Sequence, residues 1–467
     1  MKYFHRKSRR AILIVSLFFM SIFIGMCAGL KTEKDFNIVL ITIDALRADH
    51  LSCYGYERNT SPNIDSIAGK GIIFQNAIAP SSWTAPSVVS LLTSVYPTNH
   101  GVIHGVGYKK KKTLHIQEVF SNQLFTLTEI LKANGYTTFG VVSNLHLGEH
   151  FGFGRGFDYY KCLPFLPAPQ VNKTVYSWED EIRNAEKFFL WIHYFDPHHY
   201  YHARNPWIGD YASPELTQEL KLFKKSWSEL KQLIPAFKKD PQTLNNLIAL
   251  YDSEINFVDS SIGKLFQKFE PDDNTLIVIT ADHGEEFLEK DQLGHGSNLY
   301  RETINIPLIV KLPQCSQKAE VSRHVSLVDV MPTILQSINI KPPEQTLGKS
   351  LLQTNGLLFW LKKKLFISDT VQYKFSEMDT VATLKTIISP EWKYIYNYKR
   401  ETGQLFNIQA DSLELNDLVD NRVEESSQLK ERLLRWVSKA TKYPTRKQEF
   451  QLTPKEKEKL QGLGYIQ

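Results

Sequence analysis

The chain has 467 residues, 42% apolar and 22% charged, which suits one large globular domain with an appendage and excludes a disordered or fibrous chain. The formal net charge is +5, and the excess sits in local basic clusters at 2–10, 109–112 and 362–364. No arginine-rich, aromatic-interleaved face accompanies them, which argues against nucleic-acid binding.

Residues 1–30 read as a unit of their own. "KYFHRKSRR" precedes an uncharged, mostly apolar run over 11–30, long enough to cross a bilayer as a helix. Basic residues before the run put the N-terminus in the cytoplasm and the remaining chain outside. A single-pass signal anchor is therefore expected, with a cleaved signal peptide and secretion, or lipid attachment at Cys27, as alternatives. Cys53, Cys162 and Cys315 form no CxxC pair, so a cysteine zinc site is not supported and one disulfide among them is an open possibility.

Next along the chain, "NIVLITI" (Asn37–Ile43) is a short β-branched run that reads as a fully buried strand. Similar runs follow at 136–143, 187–195, 275–281 and 306–312, with helical patterns between them, as at 124–134 and 247–269. Alternating strands and helices imply an α/β fold with a mostly parallel central sheet covered on both faces. Residues 205–239 are more polar and read as a helical insertion near the site, whereas "GFGRGF" at 152–157 lacks a nucleotide-loop spacing and reads as a loop. From about 367 the texture shifts to short mixed strands and then a helix over 424–442, a small antiparallel subdomain. The expected organisation is an anchor over 1–30, a catalytic domain over 36–345 and a C-terminal subdomain over 346–467.

In such sheets ligands bind beyond the carboxyl ends of the strands. Asp44 follows the first run, and Asp282 and His283 follow "TLIVITA", with His295 downstream in "LGHGSNLY". Two carboxylates, a histidine and a nearby hydroxyl would suit a divalent cation. An aspartate at a strand end also caps helices; it is the adjacent Asp-His-Gly that favours ligation. Thr84, in "SSWTAPSVVSLLTSVYP", stands where an apolar helical face begins, with Pro86 in its first turn. It is either a helix cap or a nucleophile activated by a bound cation. "WIHYFDPHHYYH" supplies His193, His198, His199 and His202. His198, held in a turn after Asp196-Pro197, is the catalytic candidate, and His193 is a substrate contact or a core histidine. Asp259 reads as helical and structural, with a second metal as its other reading.

These segments together resemble the sulfatase family of the alkaline-phosphatase superfamily. "NIVLITIDALRADHLSCYGY" looks like its opening strand and acidic ligand, "TSPNIDSIAGKGIIFQNAIA" like its second segment, and "TAPSVVSLLTSVYP" occupies its nucleophile signature. "NGYTTFGVVSNLHLGEH", "HYFDPHHYY", "ITADHGEEF" and the C-terminal "WKYIYN…GQLFNI" match further segments. The resemblance implies catalytic Thr84, His146, His198 and His295; metal ligands Asp44, Thr84, Asp282 and His283; and substrate contacts at Asn144 and His193. It also exposes departures. Family members oxidise cysteine or serine to formylglycine, which threonine cannot become because its β-carbon bears a methyl. Val88 replaces the arginine of the signature, Ala45 the second aspartate, and Asn144 the usual lysine. The remaining set resembles the Mn²⁺ or Zn²⁺ centre of threonine-dependent lipoteichoic-acid synthases and phosphoethanolamine transferases, with Ca²⁺ as the alternative. The expected activity is hydrolysis or transfer of an anionic phosphoester, such as a phospholipid headgroup. A sulfuric ester hydrolase without formylglycine and a non-catalytic module binding an anionic glycan are the alternatives.

Overall fold

The computed structural model describes residues 36–104, 107–108, 115–212, 227–271, 273–352, 373–378 and 383–462. The anchor run, Cys27 and all three basic clusters lie outside the described residues, among which no helix is long and apolar enough to cross a membrane. Nine strands form the central sheet: β1 Asn37–Ile43, β2 Ile72–Ile78, β3 Thr137–Val142, β4 Tyr159–Cys162, β5 Phe188–Tyr194, β6 Thr275–Ala281, β7 Asn305–Ile306, β8 Leu308–Lys311 and β9 Ala319–Ser326. Their order is β7-β2-β8-β6-β1-β5-β3-β4, with β9 against β2.

The sheet is mixed. β4, β3, β5, β1 and β6 pair parallel, as expected. β8 instead runs antiparallel to both β6 and β2, and β7 antiparallel to β2. A fully buried run such as "IPLIVKL" announces a strand but not its direction. β1, β5 and β6 are apolar on both faces because helices cover both: Ile38, Leu40, Ile41, Trp191 and Val278 are all buried.

Two helices carry residues toward the site. α1, Thr84–Thr93, is wholly buried. α2, Pro241–Phe269, starts at the N-cap Asp240, whose side chain accepts the Gln242 amide, with Pro241 in the first turn. Asp259 on α2 accepts the backbone N–H groups of Asn63 and Ile64 and so caps the helix Pro62–Ala68; it serves that helix and not a metal. The insertion forms short helices at Ile208–Tyr211, Trp227–Lys231 and Ile234–Lys239, while 213–226 lie outside the described residues.

The C-terminal part is an antiparallel meander of β10 Lys374–Met378, β11 Leu384–Ile388, β12 Trp392–Asn397 and β13 Thr402–Asn407. α3, Val423–Lys439, covers it through Leu429 and Leu433 against Tyr394 and Leu405. The chain then returns, and Arg446–Phe450 pairs with His115–Val119 beside the catalytic domain. Cys53, Cys162 and Cys315 are all free, so the disulfide left open by the sequence does not form among them.

Candidate active site

Strand register assembles the acidic half of the site. Ile43 lies beside Ala281 on one side and Tyr194 on the other, so Asp44 and Asp282, each next in sequence, leave adjacent strands at one level. Ala45 turns back with a left-handed φ of 54°, and its amide donates to Asp282 Oδ1 at 3.2 Å. The His283 amide donates to the same oxygen at 2.9 Å. Gly284 is compulsory at this turn: a Cβ there would stand 2.1 Å from the Glu302 carbonyl oxygen.

Thr84 is the first helical residue of α1 and caps nothing; the N-cap is Trp83, with no side-chain capping bond. The helix-cap reading of Thr84 is therefore removed. Its Oγ1 lies 3.3 Å from His283 Nε2 and accepts from Asn144 Nδ2 at 3.3 Å. Asn144 also donates to Asp44 Oδ2 at 2.6 Å, so in this geometry its amide orients the nucleophile candidate and the carboxylate. His193 turns both ring nitrogens into protein. Nδ1 lies 2.8 Å from Thr42 Oγ1 and Nε2 3.4 Å from Asp44 Oδ2, while the Trp191 indole donates to the same threonine oxygen at 3.0 Å.

The donor set fits a divalent cation. Ligand atoms of Asp44, Asp282 and His283 lie within 4.8 Å of one another. Asp44 Oδ1 and Asp282 Oδ2 are buried and accept no hydrogen bond, an arrangement that costs free energy unless something positive sits between them. His283 Nδ1 is 2.9 Å from the Gly284 carbonyl and so carries the proton there, which turns Nε2 toward Asp44 Oδ1 at 3.4 Å and Asp282 Oδ2 at 3.6 Å. A lone pair aimed at two carboxylates needs a proton or a metal. Burial works against the proton, yet Asp282 and then Asp44 outweigh it and raise His283 to about 9. Burial, with Asp44 next, raises the Asp282 carboxyl.

Three further histidines close the site. His198 stacks on Phe195 with centroids 4.6 Å apart, and its Nδ1 lies 2.7 Å from the His199 carbonyl. Its ring is 4.9 Å from that of His295, which in turn is 4.2 Å from His283. His146 is fixed by Gln117, which donates to its carbonyl at 2.8 Å and faces its Nδ1 at 3.2 Å. Burial lowers His146 and His198 to about 4 each, and lowers His295 well below its ordinary value, so all three rings are neutral at pH 7. His199 is buried beside Tyr200 and Tyr201, and His202 is an exposed partner of Glu254.

The sequence reading missed Glu285, Gln117, Tyr201 and Arg47. Glu285 Oε1 lies 2.8 Å from His295 Nδ1, and Oε2 accepts the Tyr201 hydroxyl at 3.0 Å. Burial raises this carboxyl to about 7. Arg47 donates to the Glu285 carbonyl and to Asp49. A buried acid directly after Asp-His-Gly was the only available signal. The insertion helix Trp227–Lys231 packs against Leu293–Gly294, directly before His295.

A buried cluster of two aspartates, one histidine and a helix-terminal threonine thus sits beyond the carboxyl ends of a mixed sheet, with a donor set that fits a divalent cation. The Sulfatase family model matches residues 36–340, and a second model, N-sulphoglucosamine sulphohydrolase, C-terminal, matches 296–439. The chain belongs to the sulfatase family. It is 22% identical to the uncharacterised sulfatase YidJ of Escherichia coli K12, over 90% of each chain. It is also 22% identical to a Delta 4,5-hexuronate-2-O-sulfatase of Bacteroides thetaiotaomicron, over 85% of this chain and 87% of that one. Among solved structures, the phosphonate monoester hydrolase of Agrobacterium radiobacter superposes with a TM-score of 0.65 at 17% identity, covering 86% of this chain and 95% of that chain. A structure in complex with its substrate D-glucosamine-2-N,6-O-disulfate superposes with a TM-score of 0.67 at 18% identity, covering 86% and 97%.

Proposed function

We propose that this sulfatase-family hydrolase uses Thr84 as its nucleophile, without formylglycine, and acts on phosphoesters in preference to sulfate esters. The observation that carries the reading is Thr84 Oγ1 itself: it caps no helix and lies 3.3 Å from His283 in a pocket with two unsatisfied carboxylate oxygens. A divalent cation, Mn²⁺ or Zn²⁺ before Ca²⁺, held by Asp44, Asp282, His283 and Thr84 would supply Lewis-acid polarisation and lower the hydroxyl's pKa. The free N–H groups and dipole of α1 favour an anion at the same point.

Thr84, its hydroxyl proton released to solvent as the bound cation lowers its pKa, would bond through Oγ1 to phosphorus as the bond to the alcohol oxygen breaks. An anionic ester raises the neighbouring neutral histidines, and His198 then delivers a proton to the leaving oxygen. His295, oriented by Glu285, removes a proton from the water, or from the acceptor alcohol of a transferase, that attacks the phosphothreonine, and the Thr84 Oγ1–P bond breaks to return the threonine alkoxide. His146 lines the oxyanion side. Asn144, donating to both Asp44 Oδ2 and Thr84 Oγ1, holds the two in place throughout, and His193 braces Asp44. We also place this domain outside the cytoplasmic membrane behind the uncharged run at 11–30. Sulfuric ester hydrolysis is the second reading, favoured by the relatives named as sulfatases.

Purified protein assayed on nitrophenyl phosphate, bis-nitrophenyl phosphate and nitrophenyl sulfate with each metal tests the reading. Thr84→Ala is expected to lower kcat at least about a thousand-fold, with the circular dichroism unchanged, and Thr84→Ser to keep partial activity. Full turnover in Thr84→Ala would overturn the nucleophile assignment. Turnover of the sulfate ester alone would overturn the phosphoester preference.

A further inference from the structure

His198, one of the rings that close the site, also lines a cavity of about 270 Å³. That is below the ~300–1,000 Å³ of sites for drug-sized ligands, so it takes one ring-sized group. Phe165, Phe195 and Tyr200 give it an aromatic wall, which offers apolar area to a ring face. The opposite wall is Asp196, Arg204 and Glu254, with His202 at the exposed rim.

Arg204 Nη2 donates to Asp196 Oδ1 at 2.8 Å and Nε to Glu254 Oε2 at 2.7 Å. Glu254 Oε1 also accepts the His202 backbone N–H at 2.7 Å. One guanidinium is thus shared by two buried carboxylates, and no lysine lines the cavity among the described residues. Burial, and then Glu254, push the Asp196 carboxyl up to about 7 even beside Arg204, so the cavity already resists its own negative charge. A second anionic group on the substrate would face the two carboxylates with the nearby cation neutralised. A hydroxyl fits better: it can donate to a carboxylate lone pair and accept from the remaining guanidinium N–H groups.

We propose that this cavity seats the alcohol side of the ester and selects an uncharged, hydroxyl-bearing ring over one carrying a second anionic group. The assignment rests on the reading of His198 as the residue next to the leaving oxygen. It gives the histidine-rich stretch a division of labour, with His193 on Asp44, His198 shared by the site and the cavity, and His202 at the outer rim.

The test compares ethyl phosphate, glucose 6-phosphate and glucose 1,6-bisphosphate, and the corresponding sulfates, with the full chain and Mn²⁺. Binding of the same compounds to the Thr84→Ala protein is measured by calorimetry. The glucose monoester is expected to exceed the ethyl ester about ten-fold in kcat/KM and in affinity, and the doubly charged sugar to fall at least about ten-fold below it. Glu254→Gln and, at the half-buried rim, Tyr200→Ala should each lower the glucose-to-ethyl ratio about ten-fold. A wild-type ratio near one, a preference for the doubly charged sugar, or variants that lower both esters equally would overturn the assignment. Because the readout is a ratio within one ester class, it stands whichever class is turned over, and the calorimetry stands without turnover. Loss of the nucleophile reading would show separately, as activity retained by Thr84→Ala.

Discussion

Glu285 has two partners, His295 Nδ1 at 2.8 Å and the Tyr201 hydroxyl at 3.0 Å, and through the first it fixes which nitrogen of His295 faces the reacting centre. Glu285→Gln keeps the shape but presents an amide that satisfies the ring less well. We expect kcat to fall about ten- to a hundred-fold with KM little changed, and the acid limb of the pH–rate profile to move; a KM effect alone would assign Glu285 to substrate binding. Legibility at this scale followed locality. Asp44 and Asp282-His283 stand directly after buried runs, so strand ends located them. Glu285 and Gln117 act on histidines 10 and 29 positions away, and nothing beside them in the chain marks the pairing. Thr84 was singled out as the nucleophile candidate from its helix terminus and the neighbouring Asp44 and Asp282-His283 signals; the hydroxyl's partners, His283 and Asn144, remove only the capping alternative.

The turn after β6 carries two metal-ligand candidates, and its path depends on Gly284. Alanine there would place its Cβ 2.1 Å from the Glu302 carbonyl oxygen, an overlap that moves backbone and not a flexible side chain. Gly284→Ala is expected to destabilise the fold by about 3 kcal/mol or more and to weaken Mn²⁺ binding, read by thermal melting with and without the metal. An unchanged melting point would show that the turn relaxes freely. Among elements, the buried runs β1 and β6 were legible because burial on both faces leaves only apolar residues. β10 was not: its "KFSEM" looks polar, yet buried Lys374 is paired with buried Asp329 at 2.5 Å, and buried Glu377 with buried Lys385 and half-buried Thr98. Paired charges hide a core strand from any reading of hydrophobic pattern. The reversal of β7 and β8 was equally silent, since direction is set by the connection and not by the residues within the strand.

The molecule as a whole holds several histidines in their neutral form, and two of them, buried His100 and half-buried His324, lie away from the candidate metal ligands. His100 is enclosed between Ser90 and the Val102 amide, which donates to its Nδ1 at 3.1 Å; burial lowers it from 6.5 to about 3. Burial lowers His324 from 6.5 to about 4, with Lys393 and Lys374 adding to the effect. In the unfolded chain both would protonate near pH 6.5. Between that pH and the folded values the unfolded state binds more protons, so stability is complete above about pH 6.5 and is lost as the pH falls. Each ring contributes up to about 1.4 kcal/mol per pH unit to that slope. His100→Gln removes the titration while keeping a donor and an acceptor in place. Unfolding free energies measured for the two proteins from pH 7 to pH 4.5 should therefore converge as the solution is acidified, the variant losing less. A cation held by Asp44, Asp282 and His283 would also be released in acid as those ligands take up protons, but equally in both proteins, so it drops out of the difference. Parallel curves would mean that the fold tolerates a charged His100, and that acid lability begins at the site between β1 and β6 and not in the surrounding core.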